Sequence, residues 1–437
     1  LSLLSAVVVL TSLFLGVVGA LTLGWMLYAW RTPEALRATR FAPQPAATTD
    51  VPGRRFSLVV PARHEDAVLA HTLDSLAALE HDDVEILCVV GDDDPVTAAV
   101  AEAAAQRHPS RVRVVVDHSV PKNKPKALNA ALPHCTGDVV GVFDAEDEVS
   151  PGLLRAIEVA FHRDRADVVQ GGVQLMNIRS SWWSLRNCLE YYFWFRSRLH
   201  YHADREFIPL GGNTVFVRTE LLRVVDGWDP ECLAEDCDLG VRLSALGATV
   251  SVAYEPALVT REETPGTLRA LVKQRTRWNQ GFLQVYRKGD WRRLETLRQR
   301  LLARYTLLMP FVQAAAGLLV PVSIAMILFA KTPPAVTLLG FLPLLIVLAG
   351  VAVEVVAVHE FGRDFGVRVR LREYVRLVLG VLPYQWLLAV AAVRAGWREA
   401  RDERGWEKTE HTGAHRDGAA PSTPATSERD RVTEAAA

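Results

Sequence analysis

Apolar and polar positions divide the chain into three regimes. Residues 1–30 hold no charge at all. A helix needs about 20 apolar residues to cross a bilayer, so this stretch predicts one transmembrane helix with room for tilt. A secretory signal has a basic start and a shorter apolar run; neither is present, and the segment reads as an uncleaved anchor. Trp25, Tyr28 and Trp30 suit an interfacial belt, and Arg31, Arg37 and Arg40 follow, which places the next domain on the cytoplasmic side. Three more apolar segments come late, at about 305–330, 335–358 and 374–396. The first two flank KTPP and predict a hairpin. The third contains Pro383 and has arginines on both sides: Arg363, Arg368, Arg370 and Arg372 before it, and Arg394, Arg398, Arg401 and Arg404 after it, followed by Lys408. A single crossing does not satisfy both flanks. The pattern predicts a bent re-entrant or interfacial segment broken at Pro383.

The middle of the chain has another rhythm. Short β-branched runs, FSLVV (56–60), VEILCVV (84–90), RVRVVV (111–116) and DVVGVFD (138–144), alternate with helix candidates near 66–79, 95–107 and 124–132. Continuous apolar strands separated by helices predict an α/β fold, with a mixed, mostly parallel sheet covered on both faces. Ligands of such sheets sit beyond the carboxyl ends of the strands. Those ends read PARHED, GDDDP, KNKPKALN and DAEDE. Three carry carboxylates and one carries lysines. Any one cluster alone reads as a solvated loop. Four strand ends in register do not, because carboxylates gathered at one edge repel unless a cation sits among them. A divalent metal holding a diphosphate meets that need, since hard cations take carboxylate and phosphate oxygens together. No GxGxxG or GxxxxGK[ST] loop occurs at these turns, which argues against a Rossmann dinucleotide site and a P-loop.

Composition adds limits. The 437 residues are half apolar, allow two or three domains, and have a formal net charge of -1, which gives no reason to expect a nucleic-acid partner. Cys88, Cys135, Cys188, Cys232 and Cys237 form no CxxC pair and have no His at zinc spacing; they read as reduced, mostly buried thiols. From 409 to 437 the chain is rich in Ala, Thr, Ser, Glu and Arg without an apolar period, and reads as disordered. The aromatic run at 189–202 reads as a helix packed on the sheet or near the bilayer, and its His200 and His202 as surface or packing groups in preference to acceptor contacts.

One further stretch, KQRTRWNQGF (273–282), places Gln274, Arg277 and Trp278 at i, i+3 and i+4, on one helix face. An amide, a fixed cation and an indole make a poor core stripe and an unusual solvent face.

In order, these motifs resemble the membrane-embedded family 2 glycosyltransferases of the inverting GT-A type, which include cellulose, chitin and hyaluronan synthases. The resemblance covers residues 54 to 290. It implies that VVPARHED is the opening nucleotide-binding strand, with Pro61 and Glu65 at the donor. It implies that GDDDP supplies the aspartate for the uracil and ribose, Asp93 in preference to Asp92 or Asp94. It places Lys126 of KPKALN near the diphosphate. DAED (144–147) stands at the Asp-x-Asp metal position, with Asp144 and Glu146 as ligands, the glutamate being a departure from the family pattern. GGNTVF (211–216) resembles the acceptor-side strand, giving Gly211, Gly212 and Asn213 to the acceptor. AEDCDLG (234–240) resembles the motif of the general base, here Asp236, with Glu235 beside it on the acceptor side and a helix dipole to keep Asp236 ionised. QRTRW (274–278) matches Gln-x-x-Arg-Trp: Arg277 reaches the diphosphate, and Gln274 and Trp278 face the acceptor sugar.

The resemblance therefore implies a membrane-bound inverting hexosyltransferase that moves a sugar from a UDP-sugar to a growing polysaccharide, with Mg²⁺ or Mn²⁺ as cofactor. The alternative is transfer of one sugar to a lipid or short acceptor; a reading from another class is an inactive membrane receptor or scaffold. Implied partners are the UDP-sugar, a glycan or lipid-linked acceptor, the bilayer and, for a polymer, export proteins. The location implied is the bacterial inner membrane, with several spans and a cytoplasmic catalytic domain. The expected divisions are a transmembrane helix at 1–30, the GT-A domain at 54–260, interfacial helices at 264–303, membrane segments at 304–398 and the tail.

Overall fold

The computed structural model describes residues 3–31, 53–329 and 332–405, together with Gly413 and Arg416. The WEKTEH stretch (406–411), the 409–437 segment read as disordered apart from those two residues, Lys331 of the hairpin turn, Arg37 and Arg40 lie outside them.

Seven strands form the main sheet in the order β3-β2-β1-β4-β7-β5-β8: β1 Phe56–Ala62, β2 Val84–Gly91, β3 Val112–Asp117, β4 Val139–Val142, β5 Val168–Gly171, β7 Val215–Arg218 and β8 Val250–Ala253. All pair in parallel except β7, which runs antiparallel between β4 and β5. The short β6 (Val173–Leu175) and β9 (Thr260–Glu262) pair beside it. The sheet is thus mixed and mostly parallel. Its strands read as unbroken apolar runs because both faces are buried: Phe56, Leu58 and Val60 of β1 enter one core cluster with Ile86 and Phe143, while Val59 enters the other with Leu87 and Val142. All five cysteines are free and buried.

The helices that carry strand ends begin at identifiable caps. The helix Leu69–Ala77 (α2, after the N-terminal α1, Leu3–Met26) follows β1. Asp94 caps α3 (Pro95–Arg107), accepting from the Thr97 N–H, with Pro95 in the first turn. Asn123 caps α4 (Lys124–Ala131) through the Lys126 N–H. After α5 (Leu153–Arg163) comes α6 (Ser184–Phe193), which continues through a π-turn at Trp194–Arg198 into Leu199–Ala203. This aromatic segment packs against membrane helices through Cys188, Leu189 and Tyr192, which join Ala357, Val358 and Phe361 in one cluster. α7 is Glu235–Ala245, and α8, Leu268–Lys288, starts at a Thr267 cap and stops at Gly289, whose φ of 81° is the left-handed conformation glycine adopts freely.

Among the described residues, three helices are long and apolar enough to cross a membrane: α1, α9 (Leu297–Phe329) and α10 (Pro334–Asp364). α9 and α10 form the expected hairpin, although α9 begins well before the expected start near 305. The last apolar segment is a bent pair, α11 (Leu371–Leu379) and α12 (Val381–Ala400), turned by 50°. The bend was expected, but its place differs: the helices part at Gly380, not at Pro383. Pro383 lies in the first turn of α12, where a missing N–H breaks no hydrogen bond. At Gly380 a Cβ would stand 2.8 Å from the Arg376 carbonyl oxygen, so the tight corner excludes a side chain. α12 packs along α8 and α9, and α1 along α10.

Candidate active site

The strand carboxyl ends open into a cavity of about 1020 Å³ whose other wall is made by α1, α6, α9, α10 and α12. Large ligand pockets reach about 1,000 Å³, so this one has room for a nucleotide sugar and an acceptor headgroup.

Every expected site residue except Lys126 lines this cavity. At the end of β1 stand Pro61, Arg63 and the buried Glu65. After β2 the three aspartates separate by role. Asp94 is buried at its cap and accepts from the His64 N–H at 2.6 Å; Asp92 pairs with Lys122 at 2.7 Å; Asp93 pairs with Arg63 at 2.7 Å. Lys126 points away, its Nζ donating to the carbonyls of Val120 and Pro121. Lys124 takes its expected place, two residues earlier and on the cavity side of the cap, donating to Asp144 and, at 2.9 Å, to the Gly212 carbonyl. Burial works against the Lys124 charge, but the carboxylates of Asp144, Glu235 and Asp236 outweigh it and hold the ammonium well above its ordinary value.

Asp147 explains the bend that aims Asp144. Its carboxylate accepts from the Asp144 N–H at 2.8 Å and from Asn213 Nδ2 at 2.9 Å. The Asn213 amide also donates to Glu262. The Asn213 side chain is thereby engaged within the protein and braces the loop while it lines the cavity. Burial, with the charges of Glu262, Asp144 and Glu146, pushes Asp147 well above the usual carboxylate range.

Among the described residues no group of three or more His, Cys, Asp or Glu side chains is placed to hold a metal ion. The donor set still fits a hard divalent cation. Such ions bind through one or two carboxylates plus phosphate oxygens and keep several waters, and Asp144 and Glu146 both line the cavity at the end of β4.

Glu235 and Asp236 open α7 against the same space. Gly212 lets Asp236 approach: a Cβ there would lie 3.0 Å from Asp236 Oδ2. Burial and the neighbouring Asp236 charge push Glu235 up to about 7, with Lys124 and Arg277 opposing. Burial also raises Asp236, against the Cys237 N–H and the same two cations. The helix dipole was expected to keep Asp236 readily ionised; desolvation in this enclosed site outweighs it.

The Gln274, Arg277 and Trp278 face of α8 turns into the cavity. Further along the helix two glutamines latch it: Gln284 Oε1 accepts from the Leu233 N–H at 2.8 Å, and Gln280 Nε2 donates to the Glu403 carbonyl at 2.8 Å. The Trp278 ring lies under the Arg275 guanidinium at 4.7 Å, and Arg275 is held by Asn187 and Glu190. Tyr384 of α12 donates to Glu190 at 2.6 Å. The sequence reading missed Arg275, Glu190, Tyr384 and the Arg186–Glu354 pair at 3.1 Å. One signal was present: a carboxylate at 354 in an otherwise apolar segment. Of the surface and packing readings of His200 and His202, packing holds: both are buried and outside the cavity lining.

Known proteins resemble the chain in sequence and in fold. The chain is 30% identical over 274 residues to a beta-monoglucosyldiacylglycerol synthase of Synechocystis, covering 60% of this chain and 56% of that protein. It is 24% identical over 263 residues to a poly-beta-1,6-N-acetyl-D-glucosamine synthase of Staphylococcus epidermidis, covering 58% and 60%. The matched region thus spans about half the length of the curated relatives. Among solved structures, a mannosyltransferase from Pyrobaculum calidifontis in complex with GDP-Man and Mn²⁺ superposes with a TM-score of 0.58 at 18% identity, covering 89% of this chain and 99% of that one, a likeness of fold. The sequence model described as "Glycosyltransferase like family 2" matches residues 52–281, which hold the whole main sheet, the carboxylates at the strand ends and at the start of α7, and the QRTRW motif. That match covers more than half of the chain, and the chain belongs to the family 2 glycosyltransferases.

Proposed function

We propose that this enzyme transfers a single hexose from a nucleotide diphosphate sugar, a UDP-sugar by the motif resemblance, to a lipid acceptor drawn from the membrane. One observation carries the acceptor: the cavity that holds Asp144 and Asp236 is walled on its far side by membrane helices, through Trp25, Met309 and Leu388. A headgroup reaches such a site without its acyl chains leaving the apolar helices. The 30%-identical relative, named a beta-monoglucosyldiacylglycerol synthase, supports this reading.

In this mechanism Asp236 is the general base. It takes the proton of the acceptor hydroxyl as that oxygen bonds to the anomeric carbon, and the carbon's bond to the diphosphate breaks on the opposite side, inverting the centre. Lys124 and Arg277 offset the charge that gathers on the leaving diphosphate. Asp144 and Glu146 would hold Mg²⁺ or Mn²⁺, which supplies a further positive charge to the phosphates; the Mn²⁺ in the solved neighbour supports a metal here. Trp278 offers a flat apolar face to a sugar ring. Glu235, which burial makes easier to protonate than a glutamate in water, offers a donor to the acceptor.

A second reading is the processive synthesis of a β-glycan. The poly-N-acetylglucosamine synthase relative and the indole face of Trp278 favour it. The two readings separate in a nucleotide-release assay on purified protein across UDP-glucose, UDP-N-acetylglucosamine and related donors. Single transfer predicts release that depends on added lipid acceptor and stops when it is consumed. Sustained release with accumulating polymer supports the second reading.

A further inference from the structure

Four arginines crowd the contact between the Ser184–Ala203 segment, α8 and the membrane helices, and three have carboxylate partners. Arg186 pairs with Glu354 at 3.1 Å, Arg196 with Glu360 at 2.7 Å and Asp364 at 3.3 Å, and Arg275 with Glu190. Arg198 is different. Among the described residues no carboxylate is within ion-pair distance of it, yet it is only 3% exposed and lines the cavity. Its Nη1 donates to Met309 Sδ and its Nε to His202 Nε2 at 3.5 Å. Its guanidinium lies 4.9 Å from the Trp25 ring centre and 5.3 Å from that of Trp194. Two π faces and a thioether offset part of the desolvation of the cation. They supply no counter-charge, and arginine does not escape burial by losing its proton.

A second donor stands beside it. The Trp25 indole N–H is buried and, among the described residues, has no hydrogen-bond partner, and Trp25 lines the same cavity. Buried donors are normally satisfied. A guanidinium and an orphaned N–H side by side form a set that anionic oxygens complete. Trp25 belongs to the last turns of α1 and Met309 to α9, both long and apolar enough to cross the bilayer.

We propose that Arg198 and Trp25 form a subsite for a phosphate carried on the headgroup of the lipid acceptor, which rests on the lipid-acceptor reading above. The phosphate is bound and not transferred. A hydroxyl of the same headgroup gives its proton to Asp236, its oxygen bonds to the anomeric carbon, and the nucleotide diphosphate leaves with the electron pair of the broken bond. Free inorganic phosphate shares this chemistry; the position among the membrane helices favours the lipid.

The test uses the full chain in dodecyl maltoside micelles with two acceptors of equal acyl chains, dioleoyl phosphatidylglycerol and dioleoylglycerol. The wild type should favour the phosphate-bearing lipid by at least tenfold in kcat/KM. Arg198→Gln should erase that preference through KM, Arg198→Lys should keep part of it, and Trp25→Phe should lose about threefold. Melting in the presence of the nucleotide verifies that each variant is folded. Millimolar inorganic phosphate should leave the transfer unchanged; if it competes as well as the lipid does, the subsite serves a free anion and the proposal falls. Equal use of both lipids by the wild type, or equal loss of both through kcat in Arg198→Gln, also overturns it while leaving lipid transfer intact. Polymer with no glycolipid overturns the lipid-acceptor reading, and this proposal with it.

Discussion

Asp236 stands where two demands oppose each other. A base must be ionised to take a proton, while burial favours its neutral form. Lys124 and Arg277 restore part of the charged state, so the site is tuned between them. Asp236→Asn keeps the shape and removes the base; transfer should fall by about 10²–10⁴-fold, the usual worth of such a group, measured as lipid-dependent nucleotide release. An undiminished rate would assign the base elsewhere. Glu235 bears on stability. Its folded value of about 7 exceeds the ordinary 4.5, so between those two pH values the native state binds the proton that the unfolded chain has lost. Stability from this group is therefore full below about 4.5 and declines as pH rises to about 7. The melting temperature should fall across that window, and Glu235→Gln should flatten the slope; an identical slope in the variant would show that other groups set it.

At the scale of elements, the site depends on α8 lying close against the loop that opens α7. Gly281 permits this contact: a Cβ there would stand 2.4 Å from Ala234 Cβ and 2.5 Å from the Ala234 backbone nitrogen. Backbone cannot rotate away as a side chain can. Gly281→Ala should therefore separate α8 from Glu235 and Asp236, lower stability by about 1–3 kcal/mol as overpacking does, and reduce kcat more than tenfold. Thermal melting and turnover read the two effects, and an unchanged kcat would show that the contact does not set the site. Elements of this kind were only partly legible in the sequence. Strand–helix alternation is a local signal, and it predicted the four strands and the helix at 95–107 that the fold contains; the Asp94 cap that starts this helix went unread. The choice between Lys124 and Lys126 was not local, since it depends on which side of one helical turn faces Asp144. The bracing of Trp278 by Arg275, Glu190 and Tyr384 joins three distant stretches of chain, and no spacing rule reaches across them. At the corner before α12, the proline drew attention because it breaks helices in general, while the geometry made the glycine decisive.

At the scale of the whole molecule, sheet and membrane helices share one cavity, which gives the protein a required orientation. The sheet and Val120, which is 87% exposed, should lie on the cytoplasmic side, and the start of α10 on the outside. In intact cells an impermeant thiol reagent should label Ala335→Cys and spare Val120→Cys; the reverse pattern would contradict the arrangement. The orientation matters to the proposed function because donor nucleotides are made inside the cell. The central claim is that this shared cavity joins one sugar to one lipid. It is tested most directly by the mass spectrum of the products formed from a nucleotide sugar and a lipid acceptor by purified protein in micelles. The account predicts a single new species, heavier than the acceptor by one hexose residue and absent with Asp236→Asn. A ladder of glycan masses with the lipid unchanged would contradict it.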